Sequence, residues 1–289
     1  MLGGMIARRR ARGRGTVALV LAVLAPLAGL VAAQPAAASR LKEEFSGFAH
    51  CPVEQASICL SSITTSGEFV LDHKTVPIDK TITLQGGIGY NKFTTQPLIA
   101  PVGAPALSDT SLTVPGGLVG IEGLGGEVTA TAEIAGPVSA VTVNELNLVT
   151  ETGTAVTLPL KIKLNNPTLG EDCYIGTESE PVVLHLTTGK TSPPWPFSSI
   201  DGSRGTTIER AKGKIRLQSG ASLVDNDFSV PGATGCGGAL SLIVDPLVDT
   251  IVGIPAPAGF NKAVLTGTLE ETSAENAAKY KPKVKKEKK

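Results

Sequence analysis

Aromatic side chains are scarce in this 289-residue chain: one Trp, three Tyr and seven Phe make up 4% of it. Sugar-binding sites stack rings on aromatic faces. The scarcity therefore argues against glycoside chemistry, although Glu171-Asp172 and the pair Asp225 and Asp227 place carboxylates close together. Histidine is scarcer still. His50, His73 and His185 are the only imidazoles, no Gly-x-Ser-x-Gly elbow accompanies them, and alternation along its strand turns His185 toward solvent. No two His or Cys stand at zinc-ligand spacing except Cys51 and Cys59. Asp225-Asn226-Asp227 clusters oxygen ligands but lacks the spacing of a calcium loop, so it reads as turn-forming Asx residues. Gly123-x-Gly125-Gly126 lacks the last glycine and the strand-to-helix context of a nucleotide fingerprint, and reads as a turn. No catalytic, cofactor-binding or metal-binding residue is assigned from the sequence.

Helix-length segments are also missing. With 33 Gly and 20 Pro, the longest run beyond residue 38 free of both is 138–152, which leaves little room for long helices. The apolar run 17–31 is too short for a membrane span, which needs about 20 residues, and it contains Pro26 and Gly29. Preceded by Arg8, Arg9, Arg10, Arg12 and Arg14 and followed by Ala36-Ala37-Ala38, it reads as a secretory signal peptide over residues 1–38, with no span left after cleavage. Cleavage after Ala38 is favoured over cleavage after Ala33. The Arg9-Arg10 pair is followed by Ala11-Arg12 rather than apolar residues, which favours the general export route.

The net charge of zero hides an asymmetry. The five arginines of the signal region and a C-terminal stretch, 279–289, of seven Lys and one Glu leave a body of net charge −11 once removed. An acidic, exported body excludes nucleic acid as a partner. The basic tail, 274–289, reads as disordered, and its lysines are suited to anionic polymers or lipids of the cell envelope. Residues 39–44 read as a mobile leader.

What is present is strand pattern. Val156, Leu158, Leu160, Ile162 and Leu164 alternate with Thr157, Pro159, Lys161, Lys163 and Asn165, and Val182, Leu184 and Leu186 with Val183, His185 and Thr187, predicting an antiparallel pair joined by a long turn that carries Cys173. Further strands are expected at 67–74, 78–85, 111–114, 118–121, 127–134, 206–208, 214–217 and 263–269. In 138–149 the phase of Val141 and Val143 reverses at Leu146 and Leu148, as at a bulge. Leu240, Ile243, Val244, Leu247, Val248 and Ile251 recur at helical spacing, and with Asp245 as cap and Pro246 after it two short helical turns are expected. The fold class is all-β: an antiparallel β-sandwich or barrel-like fold in one domain, 39–273, with one or two short helical turns near 238–252.

Four cysteines allow three pairings. Cys51 with Cys59 and Cys173 with Cys236 are expected, since export favours oxidation and both pairs join turn-like segments. By loop closure the longer bridge contributes about 4 kcal/mol and the shorter under about 3 kcal/mol.

The phrases Ile82-Thr-Leu-Gln-Gly-Gly, Val114-Pro-Gly-Gly-Leu, Leu158-Pro-Leu-Lys-Ile-Lys-Leu-Asn-Asn-Pro, Cys173-Tyr-Ile-Gly, Leu186-Thr-Thr-Gly and Leu223-Val-Asp-Asn-Asp-Phe resemble a family of secreted actinobacterial proteins with no assigned activity. The resemblance implies export and a shared β scaffold, and nothing about a site. Three functions follow as expectations. The leading one is a non-catalytic exported sandwich engaged in adhesion or surface binding. The second is a carrier enclosing an apolar ligand, since 42% hydrophobic content with few aromatics suits a cavity lining. The third is a secreted hydrolase, which requires one His or two carboxylates brought into reach of each other.

Overall fold

Alternation of side chains across a strand lets one sheet carry two different layers, and this chain uses that property in its longest strands. In the computed structural model, residues 33–91, 94–117 and 127–282 are described. Most of the signal region, the expected strand at 118–121 and the tail beyond residue 282 lie outside them. Residues 1–38 and 39–289 form separate units, and both sheets belong to the second. The chain runs through α1 (Ala33–Glu44), a 3-10 turn (Ser46–Phe48), β1 (Ile58–Leu71), β2 (Lys74–Pro77), β3 (Ile82–Ile88), β4 (Gln96–Pro97), β5 (Ser111–Thr113) and β6 (Thr129–Ile134). A second 3-10 turn (Val138–Ala140), β7 (Thr142–Val143) and α2 (Glu145–Thr150) lead to β8 (Val156–Asn165), β9 (Tyr174–Ile175) and β10 (Val182–Leu186). Next come β11 (Thr206–Arg210), β12 (Ile215–Asp225), β13 (Ala233–Thr234), a third 3-10 turn (Gly238–Leu240), α3 (Ser241–Val252), β14 (Asn261–Ser273) and α4 (Ala274–Tyr280).

Among the described residues the strands form two antiparallel sheets of six and eight strands, and no closed barrel, so the all-β sandwich holds. In the first sheet the order is β11-β12-β14-β1, with β1 pairing β3 along its first half and β2 along its second. β8 is the hub of the other sheet, flanked by β6 and β7 on one side and by β9 and β10 on the other. The antiparallel pairing of β8 with β10, Val156 opposite Leu186 through Leu160 opposite Val182, is the hairpin that the alternation predicts. β1 and β14 share thirteen register pairs with one shift between Thr64 and Ser66. Gly267 sits opposite Thr64, where an added Cβ would lie 1.9 Å from the Ile63 carbonyl oxygen, so only glycine fits this close approach.

The main core lies between the sheets and contains Val156, Leu158, Leu160, Leu184, Leu186 and the Cys173–Cys236 disulfide. A second core covers the opposite face of the first sheet. There Cys59, Thr272 and Ile215 are register partners, and Phe45, Phe48, Ala274 and Ala277 close over them with the Cys51–Cys59 disulfide.

The second core explains two departures from expectation. Residues 39–44 belong to α1, where Leu41 packs on the second core and the Glu44 carboxylate accepts the Ala211 amide at 2.9 Å. Of the expected tail 274–289, Ala274–Tyr280 is the ordered helix α4: Ser273 caps it by accepting the Asn276 amide, Ala274 and Ala277 are buried, and the Tyr280 ring lies 5.2 Å from that of Phe45. Two more departures concern helices. The phase reversal after Val143 marks α2, capped by Asn144, rather than a bulge. Between 241 and 252 one continuous helix forms, because Pro246 leaves unmatched only the carbonyl of Leu242, which is 92% exposed and open to water. Asp245 is no cap: it accepts the amides of Gly235 and Cys236 and holds the loop of the second disulfide.

Candidate functional site

The face of the first sheet turned toward the main core is not filled. Reading the register across β12, β14 and β1, Arg216, Glu271 and Leu60 form one row, Gln218, Leu269 and Ser62 the next, and Gly267 and Thr64 the one beyond. Small residues at Ser62 and Thr64, facing Ala132 of the other sheet, leave a slot of about 100 Å³ between the sheets. Its lining is overwhelmingly apolar, with Leu84 and Ile82 from β3, Leu265 and Leu223 further along, and Val156, Leu158 and Leu160 opposite. From Leu265 to Glu271 the slot follows β14 for roughly 20 Å, at about 3.4 Å per residue. The apolar side chains of Leu60, Ile82, Leu84, Leu265 and Leu269 are only partly buried, although they face inward. They pack against the core on one side and border the slot on the other, and the side turned to the slot forfeits dispersion contacts unless something occupies it.

One end is apolar and closed, with Leu223, Val156 and Leu186 buried. At the other, Arg216 and Glu271 form an ion pair with side chains 39% and 21% exposed. Gln218 is buried, and its Oε1 accepts the Thr207 hydroxyl at 2.9 Å. Glu270 and Ser61 border the slot through their backbone only. Their side chains turn to the other face, beside Gly47, where Glu270 pairs with Arg210 at 2.8 Å. Burial pushes the Glu270 carboxyl above its ordinary range, and the Arg210 charge and hydrogen bond oppose that shift without cancelling it.

α2 walls the slot with Glu145, Leu148 and Val149. Three bonds hold it there: the Thr188 hydroxyl donates to the Leu148 carbonyl at 2.8 Å, the Arg204 guanidinium to that of Val149 at 2.9 Å, and the Arg204 amide to the Glu151 carboxylate at 2.9 Å. A second hollow, of about 300 Å³ beside Glu180, Pro181, Ser229 and Pro255–Pro257, is more open. Its larger volume reflects its openness, and the enclosed slot is the better candidate.

The residues weighed from the sequence lie elsewhere. His50 bonds the Val102 carbonyl through Nδ1 at 2.9 Å, His73 faces Asp72 with its side chain 65% exposed, and His185 is exposed on β10; none lines the slot. Asp225 is fully engaged by backbone, accepting the amides of His185 and Asp227, as an Asx turn requires; burial nonetheless raises its pKa. Glu171 and Asp172 are exposed beside the second disulfide. Among the described residues no group of three His, Cys, Asp or Glu converges as a metal site. Both expected disulfides, Cys51–Cys59 and Cys173–Cys236, are present. The slot residues of β1 were not expected, because the sequence pattern starts that strand at Gly67. The signal was there in Leu60, Ser62 and Thr64, an alternation with small polar residues in the inward register.

No protein-family model matches the chain, and neither a curated protein nor a solved structure is similar to it.

Proposed function

We propose that this is an exported binding protein that carries an apolar, lipid-like molecule in the slot between its sheets. The observation that supports this most is a partly open, apolar slot between the sheets, lined by leucines that the core covers only in part. Export is supported by the character of residues 1–38 and by the two disulfides. No described helix is long and apolar enough to cross a membrane. Kinship with the secreted actinobacterial proteins is part of the same proposal. One observation favours surface binding as a second role: Leu240, Leu242, Ile243 and Leu247 project from the α3 region into solvent.

The test is titration of the purified 39–289 protein with phenylnaphthylamine, a neutral dye that brightens in apolar surroundings. Saturable brightening is expected, together with its loss when Ser62→Leu and Ala132→Phe fill the slot. Equal dye binding by the filled variant, in a protein that still unfolds cooperatively, rejects the slot as the site.

A further inference from the structure

We infer that the slot takes a lipid whose polar end is neutral and carries a hydroxyl, in preference to one with an anionic head group. This rests on the binding reading above and adds the ligand's chemical class to it. The only cation among the described lining side chains is Arg216, and its guanidinium is already paired with Glu271 across the β12–β14 register. A fatty-acid carboxylate entering there competes with the Glu271 carboxylate, which is tethered beside the one cation among the described lining side chains. The polar side chains in the inward rows next to that ion pair are neutral. Ser62 and Gln218 flank Leu269 in one row and Thr64 lies in the next. Thr207 occupies Oε1 of Gln218, so the amide nitrogen is the donor that Gln218 has for a ligand. Hydroxyls and one amide donor satisfy an alcohol, which both donates and accepts, better than they satisfy a full negative charge. The long apolar stretch from Leu269 to Leu223 then takes the hydrocarbon.

Two fluorescent probes of equal chain length decide the point: cis-parinaric acid and the corresponding parinaryl alcohol, each titrated into the 39–289 protein. At about pH 8, where the acid is ionised, the alcohol is expected to bind at least about tenfold more tightly. At about pH 5 the gap should shrink as the probe's carboxyl protonates, a comparison that needs no variant. Glu271→Gln frees Arg216 and is expected to tighten the acid severalfold while leaving the alcohol nearly unchanged. Acid binding as tight as alcohol binding at pH 8, or a Glu271→Gln protein that folds and gains no acid affinity, overturns the neutral-head inference while the binding reading stands. Binding of neither probe, nor of phenylnaphthylamine, overturns the binding reading itself.

Discussion

The two faces of the six-stranded sheet are built from the same strands and end differently. On the outer face Phe45 and Phe48 are at most 1% exposed, and with Leu41, the Cys51–Cys59 disulfide and α4 they seal the layer. On the inner face leucines of equal hydrophobicity remain partly uncovered beside Ser62 and Thr64. Hydrophobic content is therefore not what separates a core from a binding slot. What separates them is whether the facing row supplies volume: the outer face meets phenylalanines, and Ser62 and Thr64 on the inner face meet Ala132.

The sharpest way to break this comparison is to cut volume from each face. Phe45→Ala removes a ring packed on Phe48 at 6.1 Å and Tyr280 at 5.2 Å, and is expected to cost about 3–5 kcal/mol in urea unfolding. Leu269→Ala, on the slot, already borders empty space and should cost roughly 1 kcal/mol, because little new cavity is created. Equal losses would mean that the slot closes in solution.

A smaller effect concerns pH. Glu270 reaches the outer face, and burial raises its folded pKa above the ordinary 4.5. A raised carboxyl pKa means that the folded state holds the proton more tightly. The stability it contributes is thus complete below the ordinary value and is lost as pH rises through the folded pKa. Asp225 and Asp249, both raised by burial, act in the same direction. Glu270→Gln should make the unfolding midpoint fall less steeply between about pH 4 and pH 7 than in the parent. An unchanged slope would place the Glu270 carboxylate in water, outside the sealed layer.

The sequence showed the hairpin of β8 and β10 because period-two alternation with one buried face is a local signal. It showed the disulfides because the Gly- and Pro-flanked turn context of the cysteines is local as well. It missed β1 before Gly67, where Ser61, Ser62, Thr64 and Thr65 dilute the apolar pattern. Strand formation there comes from pairing with β14 and β3, partners distant in the chain. α4 was missed for the same reason: AENAAKY has no apolar stripe beyond two alanines, and small residues suffice only where Phe45 stands opposite. The slot itself is a property of facing rows, and no single segment encodes it.

The smallest effect expected is at the C-terminus, and it asks where the outer seal ends. Lys281 donates to the Cys51 carbonyl at 2.9 Å and ties the end of α4 to the first disulfide loop. Burial lowers its pKa, as for an amine drawn partly out of water, so it belongs to the seal and not to a free basic tail. Truncation after Pro282 should therefore change stability by less than about 0.5 kcal/mol, whereas truncation after Ala278 removes Tyr280 and Lys281 and should cost clearly more. Lys283, Lys285, Lys286, Lys288 and Lys289 lie beyond the described residues. They form the part of the chain proposed to meet anionic envelope polymers or lipids, at about 1 kcal/mol per charge near such a surface. Comparing the parent with the Pro282 truncation at low ionic strength separates the two roles, because this cut leaves the seal intact. Release of the truncated protein from anionic vesicles with unchanged unfolding supports a tail that works only as an electrostatic contact. Equal partitioning rejects that role and leaves Lys281 as the last lysine with a structural part in the protein.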